Sequence, residues 1–430
     1  MTRIDRSPWR LDPGVAYLNH GGFGAAPGPV LDVQAEWRAR LEASPARFFA
    51  DELPPALDAA RATLAAFLGA DPADLVFVAN ATAGVSTVLA SLTPTLGPGD
   101  ELLATDHEYN ATFNAMAAAA ERSGARVTLA ELPWPSPTAD GIVEAIVAAV
   151  TPRTRVAVVS HITSATALVL PVARIVAALA ERGVPVLVDA AHAPGQVPLD
   201  LDAIGAAWTT GNAHKWLCAP KSAAYLHVRP EHQAGLRPLI VSHGRNAPLV
   251  AGRSRFLDEA DWTGTHDPSA ILSIPAALAT IGAMNPAGWP GVIAANHAAA
   301  LAARDRLLAV LGGAAPVVPD DLTGAMALLP LPDVLAPAVP PDAPDADPDR
   351  TRPTDPLGPA LRAAGIEVPV FQWPMVPRLG APARYLRVSW QRYVRDADIE
   401  RLAAALAGRL PADAAPAAPP RRGTGSRGAA

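Results

Sequence analysis

The chain has 430 residues, half of them hydrophobic, which is enough for two domains with large buried cores. Its formal net charge of −6 and its scattered arginines argue against a nucleic-acid partner. A single cysteine, Cys218, excludes an internal disulfide framework and suits a reducing cytoplasm, where we expect the protein to act.

The sequence offers no sign of targeting to a membrane. No run of about 18 apolar residues is free of charge and proline, so we expect no membrane partner. The opening stretch "MTRIDRSPWRLDPG" has no apolar segment of the kind found in signal peptides. We also predict no metal site.

Helix-like and strand-like segments alternate through the first two thirds of the chain. Two helices, 29–43 and 55–70, are predicted first, because each begins with proline in its first turn. Short apolar runs predict strands, and helical stretches near 110–122, 141–150 and 171–182 lie between them. The runs are "DLVFVAN", "DELLATD", "RVTLAEL", "TRVAVVSHI", "VPVLVDAA" and "AAYLHV". This alternation predicts an α/β fold with a mostly parallel central sheet flanked by helices.

A smaller α+β domain is predicted to follow. It has helices near 269–283 and 289–312, a Pro/Asp-rich surface loop at 336–358, and a late strand–helix pair, "RYLRVSWQRYVRDADIERLAAALAG". We therefore divide the chain into an amino-terminal segment, a large α/β domain, the small domain and a disordered tail. These units are 1–28, 29–268, 269–410 and 411–430.

Both lysines of the chain, Lys215 and Lys221, lie in "GNAHKWLCAPKSAAYLHV" (211–228), and the other 33 of its 35 Lys and Arg residues are arginine. Arginine serves surface charge and ion pairs at least as well as lysine. Only a lysine amine can lose its proton and form a Schiff base with a carbonyl compound. Lys215 is therefore a candidate nucleophile, although most lysines that follow a strand are simply solvated. Lys221 either caps a turn or supports the site.

Ligands bind beyond the carboxyl ends of strands in open parallel sheets, so the residues there are the candidates for a site. "NATAGVSTVL" (80–89) opens a helix that either is simply capped or receives a phosphate. His107 or Tyr109 either stacks on a planar ring or packs in the core. Asp189 ends a buried strand, and its charge is compensated either by a local cap, by an arginine, or by a protonated pyridine nitrogen. His192 would lie beside Asp189.

Together these features match the needs of pyridoxal 5'-phosphate: an anion site, a stacking ring, a carboxylate for the pyridine nitrogen and a lysine that forms an imine. The chain resembles the class V aminotransferase family of fold-type I pyridoxal-phosphate enzymes, and within it the isopenicillin N epimerase-like branch. The stretches that carry the resemblance are "YLNHGGFGAAPGPV" (17–30), "SPARFF" (44–49), "NATAGVSTVL" (80–89), "TDHEYNAT" (105–112), "VDAAHAPGQ" (188–196), "GNAHKWLCAPKSAAYL" (211–226), "DWTGTHDPSA" (261–270) and "LRVSWQRYV" (386–394).

The resemblance implies a role for each matching position. Lys215 would carry the cofactor as a Schiff base, and Asp189 would pair with its pyridine nitrogen. Tyr109 would stack on the ring, and His192 would approach its phenolic oxygen. The implied phosphate-binding residues are Ala81, Thr82, Asn212 and His214, with Thr265 reaching the phosphate from a neighbouring subunit of a homodimer.

The resemblance also implies a substrate side to the site. Arg387 would clamp the α-carboxylate of an amino-acid substrate, a task that suits its planar fork of donors. Asn19 and His20 would face the same substrate.

The resemblance implies that the substrate amine displaces Lys215 from the Schiff base. The released lysine would then remove the α proton as a general base. The expected outcome is epimerisation, with C–S lysis and then transamination as alternatives. Epimerisation needs a second acid–base group on the opposite face, for which His107, Tyr109 and His192 are candidates. A desulfurase would need a cysteine nucleophile on a mobile loop, and Cys218 is more readily understood as a small packed residue. A non-catalytic binding module is disfavoured because Lys215, Asp189 and Arg387 are all present.

Overall fold

The computed structural model describes residues 8–249, 252–313, 315–335, 355–373 and 383–410. The predicted loop at 336–358 lies mostly outside this part of the chain, and the predicted tail at 411–430 lies wholly outside it.

The described residues form strands distributed over three sheets. In chain order they are β1 Ala16–Tyr17, β2 Leu75–Val78, β3 Glu101–Thr105, β4 Arg126–Ala130, β5 Thr154–Ser160, β6 Val186–Asp189, β7 Trp208–Asn212, β8 Ala224–Val228, β9 Met326–Pro330, β10 Ile366–Glu367, β11 Val370–Trp373 and β12 Ala383–Ser389.

Helices connect and cover these strands. They are α1 His20–Phe23, α2 Gly28–Ala43, α3 Pro45–Arg47, a π-helical turn Phe48–Glu52, α4 Leu53–Leu68, α5 Ala81–Leu92, α6 Asn110–Ser123, α7 Ala139–Ala148, α8 Val172–Ala180, α9 Leu201–Ile204, α10 Pro230–Gln233, α11 Arg255–Asp261, α12 Ser269–Leu272, α13 Ile274–Gly282, α14 Gly288–Val310, α15 Leu357–Ala363 and α16 Asp396–Ala407.

The central sheet has seven strands in the order β2-β8-β7-β6-β5-β3-β4. Strands β4, β3, β5, β6 and β7 pair in parallel, whereas β8 is antiparallel to both of its neighbours. Most residues of these strands are buried, as expected for a sheet with helices on both faces. The prediction of an α/β fold with a mostly parallel central sheet is thus confirmed.

In the described residues each predicted helix and strand is present apart from details at its ends, except for one interrupted helix, whereas strands β1, β7, β9, β10 and β11 were not predicted. Strand β7 was not among the predicted strands, because "WTTGN" contains too few apolar residues to look like a buried strand. The predicted helix at 269–283 is interrupted at Ser273, which separates α12 from α13.

A three-stranded antiparallel sheet, in the order β11-β12-β9, forms in the carboxyl-terminal region. The amino-terminal strand β1 does not join the central sheet but pairs in parallel with β10. The first described segment of the chain is therefore held against the carboxyl-terminal region, and this pairing brings Asn19 and His20 close to β12.

Candidate active site

Asp189 is the last residue of β6 and lies at the carboxyl end of the parallel strands. Its Oδ2 accepts a hydrogen bond of 2.9 Å from the hydroxyl of Thr112, and its Oδ1 accepts one of 3.0 Å from the Ala191 amide. Burial raises the pKa of Asp189, and the two hydrogen bonds and the charge of Lys215 partly oppose this effect. A buried carboxylate without a contacting cation is suited to a positively charged ligand atom.

Lys215 follows β7 on a short turn, so its side chain enters the same end of the sheet. Its Nζ lies 3.1 Å from Nε2 of His192. Burial, followed by the charge of Arg387, lowers the pKa of Lys215 to about 8, while Asp189 raises it slightly. Burial and the charges of Lys215 and Arg387 hold the pKa of His192 well below its usual range. The Lys215 amine thus loses its proton far more readily than an exposed lysine, as a nucleophile or base requires.

Lys215 and Asp189 affect each other's pKa, yet no ion pair joins them within the described residues. Two opposite charges that are buried close together without touching fit a ligand that contacts both. The unpaired Nδ1 of His192 is a further buried polar atom without a partner in the part of the chain that the structure describes. These residues fit pyridoxal 5'-phosphate, whose reactive carbon would meet the lysine and whose pyridine nitrogen would meet the carboxylate.

Three of the predicted phosphate-binding residues, Ala81, Thr82 and Asn212, lie at the start of α5. Asn80 caps this helix by accepting from the Ala83 amide at 2.9 Å, and Oδ1 of Asn212 accepts from the Ala81 amide at 2.9 Å. Thr82 is exposed in the first turn, at the positive end of the helix dipole.

His214, which was also predicted to bind the phosphate, contacts a backbone carbonyl with one of its two ring nitrogens. Its Nδ1 lies 3.0 Å from the Ala223 carbonyl, so Nδ1 carries the hydrogen, and Nε2 is left as the second ring nitrogen. Burial is the main cause that lowers the pKa of His214 to about 4.

Arg387 lies on β12 and is almost completely buried. Its guanidinium donates to the carbonyl and the hydroxyl of Ser164, contacts Oδ1 of Asn19 at 3.4 Å, and lies 4.8 Å from the ring centre of Phe371. Burial lowers its pKa to about 10, an effect that nearby Tyr109 and Tyr17 partly oppose. Within the described residues, no carboxylate pairs with Arg387 and its Nε has no partner. A buried arginine in this state is suited to binding the carboxylate of a ligand.

The structure brings Asn19 to this group, whereas His20 contacts the backbone of Lys215. Nε2 of His20 lies 3.0 Å from the Lys215 carbonyl and Nδ1 lies 3.0 Å from the Tyr393 hydroxyl. Both ring nitrogens are therefore occupied by the protein itself.

Tyr109 and His107, two of the candidates for the second acid–base group, have different surroundings. Tyr109 is 45% exposed and close enough to Arg387 to affect its pKa. His107 is buried, with Nδ1 2.8 Å from the Thr166 hydroxyl and its ring 4.3 Å from that of Trp373. Thr265 is exposed on the loop before α12 and makes no contact with Lys215 in the described part of this chain.

Two site residues were missed in the sequence. Thr112 holds Asp189, and Glu108 places its carboxyl against the amide and hydroxyl of Ser160, which pairs with Asp189 across β5 and β6. Burial raises the pKa of Glu108 to about 8. Both residues lie in "DHEYNAT". A carboxyl just after a predicted strand and a threonine in the first turn of the following helix could have identified them as site residues from the sequence.

The arrangement defines a class of protein: an α/β enzyme with a buried lysine and a buried carboxylate at one end of a mostly parallel sheet, and a buried arginine that no carboxylate of the described residues pairs with. The model of the family described as Aminotransferase class-V matches residues 17–314. The chain belongs to this family, and its cofactor is pyridoxal 5'-phosphate, as predicted from the sequence.

Named relatives cover nearly the whole chain. The chain is 36% identical to the isopenicillin N epimerase of Amycolatopsis lactamdurans, over 92% of this chain and 95% of that protein. It is 34% identical to the isopenicillin N epimerase of Streptomyces clavuligerus, with the same coverage. It is 34% identical to the putative L-cysteine desulfhydrase 1 of Oryza sativa subsp. japonica, over 75% of this chain and 68% of that protein.

Among solved structures, the cystine C–S lyase C-DES, as a K223A mutant with glycine linked to its cofactor, is similar over 94% of this chain and 99% of that one, with a TM-score of 0.76 and 19% identity. The cysteine desulfurase CsdA of Escherichia coli is similar over 94% and 97%, with a TM-score of 0.73 and 20% identity. These likenesses confirm the predicted fold class.

No helix in the described ranges is both long enough and apolar enough to cross a membrane. Those ranges also contain no group of three or more His, Cys, Asp or Glu side chains arranged to hold a metal ion.

Proposed function

We propose that this enzyme acts at the α carbon of an amino acid or amino-acid-derived substrate, with Lys215 as the residue that removes the α proton. The observation that carries the proposal is the buried Lys215 amine, 3.1 Å from His192 and with its pKa lowered to about 8. A general base works best when its pKa lies near the working pH.

The remaining residues would bind and orient. When bound, pyridoxal 5'-phosphate supplies the electron sink that stabilises negative charge at the α carbon. Asp189, held by Thr112, would keep a proton on the pyridine nitrogen, and Arg387 with Asn19 would hold the α-carboxylate of the substrate. His192 would orient the Lys215 amine and approach the phenolic oxygen of the cofactor through its free nitrogen. The phosphate would be bound by Ala81, Thr82, Asn212 and His214.

The presence of only two lysines makes the first part of this proposal easy to test. Borohydride reduction of the coloured holoenzyme followed by peptide mass spectrometry should find the cofactor on Lys215, and Lys215→Ala should lose both the label and turnover. Label on Lys221 instead would refute the assignment.

We propose epimerisation as the reaction, in line with the two isopenicillin N epimerases at 36% and 34% identity. Inversion needs a proton donor on the face opposite Lys215. His192 contacts Lys215 and therefore shares its side, and the His107 ring is enclosed by Trp134 and Trp373. Tyr109, which is exposed and close to Arg387, is the candidate that these contacts favour.

A Tyr109→Phe variant assayed in deuterium oxide distinguishes proton transfer on the Lys215 face of the substrate from proton transfer on the opposite face. Isopenicillin N and a panel of free L-amino acids are the probes. We expect Tyr109→Phe to keep α-hydrogen exchange, which Lys215 performs, but to lose inversion of configuration. Tyr385→Phe is the control, because its hydroxyl contacts the Trp134 indole nitrogen and no proposed site residue. Equal inversion by Tyr109→Phe and wild type would refute the role of Tyr109.

The second candidate is C–S lysis of a cysteine derivative, because relatives named L-cysteine desulfhydrase are 34% identical in Oryza sativa and 30% identical in Arabidopsis thaliana. Expulsion of a β sulfur needs no protein thiol. Release of sulfide and pyruvate from L-cysteine, without inversion of any amino acid in the panel, would favour the lyase over the epimerase.

We propose that the protein is a homodimer in the cytoplasm, with Thr265 serving the phosphate of the neighbouring active site. Exposed apolar side chains at Leu239, Ile240 and Val241 support a protein-covered surface, and the buried single cysteine suits a reducing compartment. Mixing Lys215→Ala with Thr265→Val subunits should restore activity through one intact site per mixed dimer. A monomer by light scattering would refute the dimer.

A further inference from the structure

Residues 18–24 contact both the turn that carries Lys215 and the strand that carries Arg387. We propose that this segment, the amino-terminal latch, fixes the backbone of Lys215 relative to Arg387, with His20 as a positioning residue and Lys221 as its anchor. The inference rests on the proposed role of Lys215 and adds to it the means by which the amine is aimed.

His20 forms the central contact of the latch. It is fully buried, and its ring meets Trp216 edge to face at 5.0 Å. The Lys215 carbonyl can only accept, so Nε2 carries the hydrogen and donates to it at 3.0 Å, and Nδ1 accepts from the Tyr393 hydroxyl at 3.0 Å. His20 therefore joins the peptide of Lys215 to the carboxyl-terminal region through one neutral ring.

Gly24 and Lys221 hold the other end of the latch. Gly24 has φ +69°, and a side chain there would clash with the His214 carbonyl oxygen. Nζ of Lys221 donates to the Gly24 carbonyl at 3.1 Å. The contact explains the second lysine of a chain that otherwise uses arginine, because one compact ammonium is directed at a single carbonyl in a closely packed place.

The latch is also bound to β12. The Leu18 carbonyl accepts from the Ser389 amide at 2.9 Å, the Gly21 amide donates to the Ser389 hydroxyl at 3.1 Å, and Asn19 contacts the Arg387 guanidinium. Ser389 and Arg387 are two residues apart on one strand, so the same seven residues touch the base and the carboxylate-binding arginine.

The first test compares His20→Phe, His20→Gln and His297→Phe. Phenylalanine fills the space without a donor, whereas glutamine keeps one. His297 donates to a carbonyl at 3.2 Å, as His20 does, but bonds to Gly324 and not to the Lys215 turn. Amide hydrogen exchange of residues 213–219 is measured on the cofactor-free protein, so this readout is independent of the reaction.

We expect exchange in 213–219 to accelerate about tenfold in His20→Phe, the effect of losing one hydrogen bond, with partial rescue by His20→Gln and no change in His297→Phe. In the holoenzyme, His20→Phe should shift the pH midpoint of the visible absorption band and lower kcat more than it raises KM. Unchanged exchange and an unchanged midpoint in His20→Phe would overturn the proposal.

A second pair keeps the proposal testable if His20→Phe does not fold. Lys221→Met removes the anchor at Gly24, and Arg401→Met removes an exposed contact at the Gly14 carbonyl, which lies just before the latch. Of these two variants, only Lys221→Met should accelerate amide hydrogen exchange in residues 213–219. Equal exchange rates in the two variants would refute the proposed latch. Wild-type label on Lys221 rather than Lys215 would instead refute the proposed function.

Discussion

The side-chain amine of Lys215 lies 3.1 Å from Nε2 of His192, and both groups are buried. Neither side chain has an anionic partner in contact within the described residues, so burial penalises a positive charge on either of them. The result is a lysine that is poised to exchange a proton near neutral pH. The lowered pKa of Lys215 has measurable consequences for stability as well as for activity.

The first prediction concerns Lys215→Met in the cofactor-free protein. The pKa of Lys215 falls from 10.5 to about 8 on folding, which corresponds to about 3 kcal/mol at ~1.4 kcal/mol per pKa unit. Below pH 8 both states hold the proton, so the folded state bears the full cost, and this cost disappears as the pH rises from 8 to 10.5.

Lys215→Met should therefore be more stable than wild type at pH 7, by about 3 kcal/mol in urea unfolding, with the gain shrinking towards pH 10.5. Arg306→Met, at an exposed arginine paired with Glu400, is the control and should show no such pH dependence. A gain that does not depend on pH would contradict the depressed pKa.

The second prediction concerns Arg387→Lys. Lysine keeps a positive charge but loses the planar fork that can hold a carboxylate at two points. We expect KM for an α-amino acid to rise roughly 10- to 100-fold, the loss of one charge-assisted hydrogen bond. Steady-state kinetics measure this change.

The matched control is Arg384→Lys on the same strand. Arg384 pairs with Asp355 at 2.6 and 2.9 Å, so this change should lower the melting temperature and leave KM unaltered. If both variants raised KM equally, Arg387 would have no special role in substrate binding.

The third prediction concerns Cys218, the chain's single cysteine. Cys218 is fully buried, its Sγ lies 3.7 Å from Nε2 of His20, and burial raises the pKa of its thiol. Such a thiol is a poor nucleophile. Cys218→Ala should keep turnover and lose about 1 kcal/mol of stability through the small cavity. Sulfur bound to wild-type protein after incubation with L-cysteine would contradict this prediction and indicate a desulfurase.

The fourth prediction concerns Glu108→Gln. Burial raises the pKa of Glu108 from 4.5 to about 8, so between these values the folded state keeps a proton that the unfolded chain releases. Wild-type stability should fall as the pH rises through this window, and Glu108→Gln, which has no proton to keep, should become relatively more stable by a few kcal/mol at pH 8.

Glu101→Gln provides a contrast of opposite sign. The pKa of Glu101 is lowered by hydrogen bonds, first from Thr151 and then from Arg126. Its carboxylate therefore stabilises the folded state above pH 4.5, and this contribution is lost as the pH falls through its folded pKa. Glu101→Gln should be destabilised at neutral pH, and the difference should disappear in acid. The same trend in both variants would contradict the assigned pKa directions.

The sequence by itself determined the fold class and the cofactor, because both depend on local patterns. Apolar runs separated by helical stretches predicted the parallel sheet, and Asp189 stood at the end of a predicted strand. Strand β7 escaped prediction because its polar residues are buried by neighbouring strands rather than by their own hydrophobicity.

Only the tertiary structure decided which partner each polar group has. His20 was predicted to face the substrate, yet its nitrogens meet the Lys215 carbonyl and the Tyr393 hydroxyl, 195 and 373 residues away. The lowered pKa of Lys215 and the raised pKa of Glu108 likewise come from burial, which depends on contacts between distant segments. The sequence specifies the type of each residue. The desolvation of a side chain and its hydrogen-bond partner are set only when those distant segments pack together.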